Sequence, residues 1–398
     1  MNMSSKPRSI WILAGEESGD QLGAKLIPAL KERFGDDLVI HGLGGRAMEE
    51  QGVKSLFPIS EIAVMGASAV IRNLARILKY IQKTADAIIA DKPDILVIID
   101  SPDFSHRVAK AVRKALPDMV IIDYVSPSVW AWRPGRAKGM TQYIDAVLAI
   151  LPFEPEVHKK LNGPLCVYVG HPLIERIEEF RPRAAERSDF QEDPFRLVVL
   201  PGSRKTEIHH LMDVFGKAVY QFVSMMKRET SHREFDIILP AVPHLKEEIE
   251  KRLLSWEIKP RLVHGEEEKL TAFRSAHLAL AASGTVTLEL ALAQVPMVVA
   301  YKVSKLESQL RFLIKADSIV LTNLILGEKA VPEYIQEECN PPTLALALCR
   351  YAKDGKDRRM QMAAFERLEQ LMSIAPATPS GKAAEAIEDA YRKKHEVS

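Results

Sequence analysis

Short apolar runs alternate with longer amphipathic stretches from one end of the chain to the other. In the first half the runs are Ser9-Ile-Trp-Ile-Leu-Ala14, Asp94 to Ile99, Val120 to Val125, Ala146 to Leu151 and Cys166 to Val169. In the second half they are Leu197 to Leu200, Phe235 to Leu239, Arg261 to Val263, Leu278 to Ala281 and Met297 to Tyr301. Runs that are continuously apolar, rather than alternating with polar residues, suit strands buried on both faces of a parallel sheet. The stretches between them suit helices. One of these, Glu61 to Lys83, sets Val70, Leu74, Ile77 and Ile81 on one face and Arg72, Arg76, Lys79 and Lys83 on the other. The whole pattern predicts an α/β architecture.

The rhythm breaks once. Glu175 to Pro194 is charged and carries Pro182 and Pro194, which predicts a linker near residues 171–195. A first domain over 1–172 and a second over 173–372 follow. Residues 373–398 are expected to hold a last helix, with its return to the first domain left open.

At 398 residues the chain is long for one core, in keeping with two domains. A net charge of +1 gives no general reason to expect a nucleic-acid partner. Cys166, Cys339 and Cys349 are odd in number and lack ligand spacing, which points to a reducing compartment. The early run from Ile10 stops at Glu16 and is too short for a signal peptide. Gly284, Glu289, Gln294 and Pro296 interrupt the most apolar stretch, so no membrane-crossing helix is expected. These features predict a cytosolic protein, or one that sits on a membrane from the cytosolic side.

Two glycine turns carry the chemistry. The run at Leu197 ends in Pro201-Gly-Ser-Arg204, and the run at Leu278 ends in Ser283-Gly-Thr285, with Glu289 a turn into the next helix. Thr285 is placed to cap that helix. Free N–H groups and an arginine suit a diphosphate, and a carboxylate suits the hydroxyls of a ribose. Gly202, Ser203, Arg204, Ser283, Gly284, Thr285 and Glu289 are therefore the expected nucleotide-binding residues. Two Rossmann-like domains facing across a cleft, with nucleotide signals only in the second, suggest a glycosyltransferase of GT-B type. No Asp-x-Asp triplet occurs, so no metal or other cofactor is expected.

Several blocks, in order over residues 14 to about 338, resemble the lipid-A-disaccharide synthase family. They are Ala14-Gly-Glu-Glu-Ser-Gly-Asp20, Ala63-Val-Met-Gly66, Ser126-Pro-Ser-Val-Trp-Ala-Trp-Arg133, Leu151-Pro-Phe-Glu154 and Gly170-His171. Leu200-Pro-Gly-Ser-Arg204, Ala282-Ser-Gly-Thr285 and Asn323-Leu-Ile-Leu-Gly327 complete the set. The resemblance implies an inverting, metal-independent transferase that joins UDP-2,3-diacylglucosamine to 2,3-diacylglucosamine 1-phosphate and releases UDP. Such an enzyme would work at the inner face of the cytoplasmic membrane. Gly44-Gly-Arg46 departs from the Gly-Pro-Arg more typical of the family, and Ala69 stands where Glu is frequent.

An acceptor hydroxyl must lose a proton, so a carboxylate or histidine is needed. The family's catalytic Asp maps onto Asp100, which ends an apolar strand; the alternative is that Asp100 caps the next helix. Glu16 either orients the acceptor or stands in a loop where Ser18 caps the following helix. Ser18, Met65, Trp130, Trp132, Arg133 and His171 are the candidate acceptor- and lipid-binding residues. The tryptophans equally suit one face of a half-buried strand, Arg133 a solvated surface, and His171 a turn. Asn323 either meets the nucleotide or belongs to an ordinary loop. The basic helix at 61–83 fits a membrane surface or a core with a solvated back equally well. A homodimer through the second domain is compatible with the pattern but rests on no named residue.

Two rivals stand beside this reading. One is an enzyme like UDP-N-acetylglucosamine 2-epimerase, indifferent to acylation of its substrate. The other is a UDP-sugar-binding module without catalysis.

Overall fold

The computed structural model describes residues 6–62, 67–303 and 317–396, and the side chains of 67–74 are not described. The chain divides into two compact units, Met1–Ile174 with Ile374–Ser398, and Glu175–Ser373.

The first unit holds six strands: β1 (Ser9–Ala14), β2 (Val39–Leu43), β3 (Ile95–Ile99), β4 (Val120–Tyr124), β5 (Ala146–Ala149) and β6 (Leu165–Tyr168). They form one sheet in the order β2-β1-β3-β4-β5-β6, all parallel. β3 and β4 are buried along their whole length, which their continuous apolar runs require. One face packs against the helix Glu17–Phe34 through Leu26, Ile27 and Leu30. The other packs against the helix Pro102–Ala115 through Phe104, Val108 and Val112.

The last helix, Pro379–Glu396, belongs to this unit. Ala383, Ala384, Ile387 and Tyr391 recur at helical spacing and enter the same core as Leu26 and Leu30. Lys394 closes the contact by donating to Met119 O and Asp145 Oδ1, both at 2.8 Å. Within the helix Ala67–Asp91, Ile81, Ala85 and Ile88 are buried in the core, while Arg76, Lys79 and Lys83 are exposed. Over that part of the helix the apolar side meets the core and the basic side is left exposed. Val70, Arg72 and Leu74 lie outside the described side chains.

The second unit holds β7 (Phe195–Leu200), β8 (Phe235–Ala241), β9 (Arg261–His264), β10 (Leu278–Ala282), β11 (Met297–Tyr301) and β12 (Glu333–Ile335). Their order is β12-β11-β10-β7-β8-β9, again all parallel. The long helix Lys205–Glu229 buries Leu211, Phe215, Val219 and Phe222 against this sheet.

Each sheet has a point where neighbouring strands send their connections to opposite sides, and such points gather ligands at the strands' carboxyl ends. In the first unit it lies between β1 and β3, and in the second between β7 and β10.

Candidate functional site

In the second unit, the loops after β7 and β10 border a cavity of about 580 Å³. That is ample for a nucleotide-sized ligand. Gly202, Ser203, Arg204, Ser283, Gly284, Thr285 and Glu289 all line it. The expected nucleotide residues are thus brought together, apart from Asn323.

The first turn corrects an expectation. Its N–H groups are not free: Glu207 Oε2 accepts from Ser203 N at 2.8 Å and from Arg204 N at 3.1 Å. Glu207 is the third residue of the helix beginning at Lys205 and caps that helix start from within, by accepting from the Arg204 backbone N–H. Gly202 makes room for it. Its φ is +115, and a Cβ there would stand 2.4 Å from Glu207 Oε2. What the turn still offers is the Arg204 side chain, 70% exposed and only 3.5 Å from Glu207 Oε1.

Thr285 is also corrected. It precedes the helix Val286–Leu292 but has helical torsions and makes no side-chain cap. Thr287 turns back instead, its hydroxyl donating to Gly284 O at 2.9 Å. The Ser283 hydroxyl donates to Ile319 O at 2.5 Å, so this residue ties down the chain just before the helix Leu321–Leu326.

Glu289 has a partner the sequence reading missed. Lys269, on the helix Glu266–Ser275, lies 3.2 Å from Glu289 Oε2 and 2.9 Å from Glu266. Burial works to raise the pKa of Glu266, but hydrogen bonds from Lys269 and Arg176 outweigh it and hold the carboxyl below its ordinary range. Asn323 stands apart. It is buried, and its amide bonds Val331 N, Val331 O and Glu333 at 2.8 Å each. With both amide hydrogens and the oxygen engaged, it holds the chain leading into β12, and it is not among the residues lining the cavity.

In the first unit, the loops after β1 and β3 meet. A Cβ on Gly15 would stand 2.5 Å from Ser101 Cβ, so only glycine permits this approach. Asp100 follows β3 with φ +56, and Ser101 follows with φ +50. Two successive left-handed non-glycine residues cost on the order of 1–3 kcal/mol each, and such strain concentrates at functional sites.

The Asp100 carboxylate is held from two sides. Oδ2 accepts from the Ser18 hydroxyl at 3.1 Å and Oδ1 from Ser101 N at 2.7 Å. Ser105 fixes the backbone by donating to Asp100 O at 2.7 Å. The cap position of the next helix is Ser101, not Asp100, so the capping alternative for Asp100 is not observed. Ser18 lies inside the first helix and does not cap it. Glu16 occupies the cap position there and is exposed.

Buried Asp20, unassigned from sequence, accepts from Gly45 N, Ala47 N and Met48 N at 2.7, 2.9 and 3.0 Å. A proline at Gly45 would remove the first of these donors, which gives the Gly44-Gly45 departure a physical consequence.

The strand alternative for the tryptophans is overturned, because no strand runs through Ser126–Arg133. The peptide N–H groups of Ala131 and Trp132 donate to Ser128 O, which closes the segment into a turn. Trp130 is half-buried, edge-on to Phe153, with its indole N–H on Glu154 Oε1 at 3.2 Å. Trp132 is 41% exposed, with the Arg133 guanidinium 4.0 Å over its ring.

His171 is buried, its Nδ1 accepting from Leu173 N at 3.2 Å. Burial pushes its pKa down to about 4, so the ring is neutral at pH 7 and offers no cation for a phosphate. Met65 and the block Ala63 to Gly66 lie outside the described residues.

Beneath the tryptophan segment lies a buried polar layer that the sequence reading did not assign. His106 Nε2 stands 3.1 Å from Asp123 Oδ2, and its Nδ1 is 3.1 Å from the Tyr143 hydroxyl. Glu154 is 2% exposed, and burial raises its pKa to about 8. Ser126 Oγ and His158 Nε2 are 2.8 Å apart, and burial lowers the pKa of His158.

With this geometry established, comparison with known proteins is informative. A family model described as lipid-A-disaccharide synthetase matches residues 10–387. A lipid-A-disaccharide synthase of Rhodopseudomonas palustris (strain HaA2) is 50% identical over 387 residues, 97% of each chain. That of Ruegeria pomeroyi is 38% identical over 391 residues, covering 96% of this chain and 94% of the relative. Among solved structures, MurG of Acinetobacter baumannii superposes with a TM-score of 0.57 at 14% identity, covering 97% of this chain and 100% of that one. UDP-GlcNAc 2-epimerase of Methanocaldococcus jannaschii, in complex with UDP-GlcNAc and UDP, gives 0.54 at 14% identity, covering 88% and 94%. At such identities the structural likeness speaks for the fold alone, which is of the GT-B type.

Proposed function

We propose, since this chain belongs to the lipid-A-disaccharide synthetase family, that it transfers the sugar of UDP-2,3-diacylglucosamine to the 6-hydroxyl of 2,3-diacylglucosamine 1-phosphate. The products are the tetraacyl disaccharide 1-phosphate and UDP. The observation that carries the site assignment is Asp100: a strained residue at the switch point of the first sheet, its carboxylate oriented by Ser18 and Ser101.

In this reading the first unit binds the acceptor and the second the nucleotide. Asp100 takes the proton of the acceptor hydroxyl as its oxygen attacks the donor's anomeric carbon from the face opposite UDP. The bond from that carbon to the phosphate oxygen breaks, and the electron pair leaves with UDP. Arg204 offsets the charge gathering on the diphosphate, and Glu289 accepts from the ribose hydroxyls. Glu16, at the rim of the Asp100 loop, orients the acceptor. No step is assigned to a metal.

The acyl chains of both substrates place the work at a membrane surface. Among the described residues no helix is long and apolar enough to cross a membrane. Peripheral attachment to the inner face of the cytoplasmic membrane is therefore part of the proposal, with exposed Arg76, Lys79 and Lys83 as the residues facing anionic lipid.

The test is turnover of both acylated substrates in detergent and EDTA, following UDP and disaccharide by mass spectrometry. Equal amounts of the two products are expected. UDP without disaccharide would sink the transferase reading in favour of hydrolysis or an epimerase-like elimination.

A further inference from the structure

Glu154 opens the short helix Glu154–Lys160 after β5 and has both carboxyl oxygens engaged. Oε1 accepts from the Trp130 indole N–H at 3.2 Å, and Oε2 from Leu151 N at 3.1 Å. Burying a carboxyl is unfavourable compared with burying an apolar side chain of similar size. Its presence calls for an explanation in what it holds. It holds a segment that no strand pairing fixes: in Ser126–Arg133 the first half is anchored by buried Ser126 and Val129, and the other side-chain tie in this layer is Ser126 to His158, on the same short helix. At the far end of the segment are exposed Trp132 and the stacked Arg133.

We propose that Glu154 is a positioning residue for the acceptor: through the Trp130 indole it sets the Ser126–Arg133 segment, which presents Trp132 and Arg133 to the acceptor sugar and its phosphate. This rests on the reading of the first unit as the acceptor-binding one. Trp132 and Arg133 touch the substrate; Glu154 acts only through the segment. A ring face stacked with a guanidinium suits a sugar that carries a phosphate, and both groups are useful only if the segment is held in one conformation.

The experiment measures steady-state kinetics of the full chain, varying the acceptor at saturating donor and then the reverse. Glu154→Leu and Trp130→Phe each remove the hydrogen bond. Each is expected to raise the acceptor KM about tenfold, with kcat and donor KM within about twofold of the parent. Glu154→Gln keeps an oxygen for the indole N–H and is expected to stay within about twofold. The Trp130→Phe/Glu154→Leu double variant is expected to be no worse than the poorer single, because both lose the same bond.

Trp132→Ala separates the two ideas. If it leaves the acceptor KM unchanged, the acceptor reading of this segment fails and the proposal with it. If it raises the acceptor KM while Glu154→Leu and Trp130→Phe do not, the positioning role alone is overturned. Equal changes in donor and acceptor KM would overturn it too, since they would mark general damage. Should Glu154→Leu fail to fold, the contrast between Glu154→Gln and Trp130→Phe decides the matter.

Discussion

The hydroxyl of Ser18, the second residue of the first helix, donates to Asp100 Oδ2 at 3.1 Å across the junction of β1 and β3. The contact exists because Gly15 lets the two loops touch. It leaves Asp100 only partly exposed and aims its carboxylate. Asp100→Asn is expected to abolish turnover and leave UDP binding unchanged, because the nucleotide cavity lies wholly in the second unit. Ser18→Ala removes one bond to a charged group and is expected to lower kcat about tenfold. Kinetics paired with calorimetric UDP titration checks both; near-normal turnover by Asp100→Asn would end its assignment as the base.

Lys269 sits between Glu266 and Glu289 at the wall of the nucleotide cavity. Without its ammonium, Glu289 would lose this cation and Glu266 would keep Arg176 alone as the incoming diphosphate approached. Lys269→Met is therefore expected to weaken UDP about tenfold and uridine by much less, with the UDP loss shrinking as salt is raised. Glu289→Gln should weaken UDP and uridine alike, since its proposed partner is the ribose. Equal losses of both ligands in Lys269→Met would remove any phosphate-directed role.

Gly202 and Gly284 line the same cavity but differ in what a side chain would meet. A Cβ on Gly202 would lie 2.4 Å from the Glu207 carboxylate on a backbone at φ +115, whereas one on Gly284 meets nothing within 4 Å. Gly202→Ala is expected to cost roughly 2 kcal/mol or more of stability through strain and a displaced cap. Gly284→Ala should leave the melting temperature nearly unchanged while crowding any ligand bound against that turn. Thermal melts with and without UDP tell the two apart.

The parallel strands were legible because strands buried on both faces must be apolar throughout, as Ile95 to Ile99 and Leu278 to Ala282 are. The turn residues at the two switch points were legible for a related reason, since strand ends are where polar residues reappear. Partners set by tertiary contact were not. Nothing near Lys269 in sequence points to Glu289, and nothing near Glu154 points to Trp130, 24 residues away. Glu207 did leave a signal, an acid three residues after the cap position, but with Arg204 in place of the usual serine or threonine. The Trp130–Trp132 alternation misled because a spacing of two also fits a turn. Asn323 misled because a buried amide satisfied by backbone is indistinguishable, in sequence, from one facing a ligand.

Glu154 also makes a pH prediction that needs no substrate. Burial raises its pKa from 4.5 to about 8 in the folded chain. Between those values the folded state keeps a proton that the unfolded state has released, so stability falls as pH rises through that window. At most about 1.4 kcal/mol is lost per pH unit, which sums to the order of 3 kcal/mol between pH 5 and 8. His171, lowered to about 4, works the other way below its ordinary pKa: the unfolded state gains a proton there, and stability rises with pH. Comparison with Glu154→Gln isolates the carboxyl, because the amide cannot titrate and the histidines are common to both proteins. Urea unfolding at pH 5, 6, 7 and 8 should show the parent losing ground to Glu154→Gln step by step as pH rises. A constant difference across that range would mean that the carboxyl is ionised throughout, with Trp130 and Leu151 N–H sufficient to carry its charge in the core.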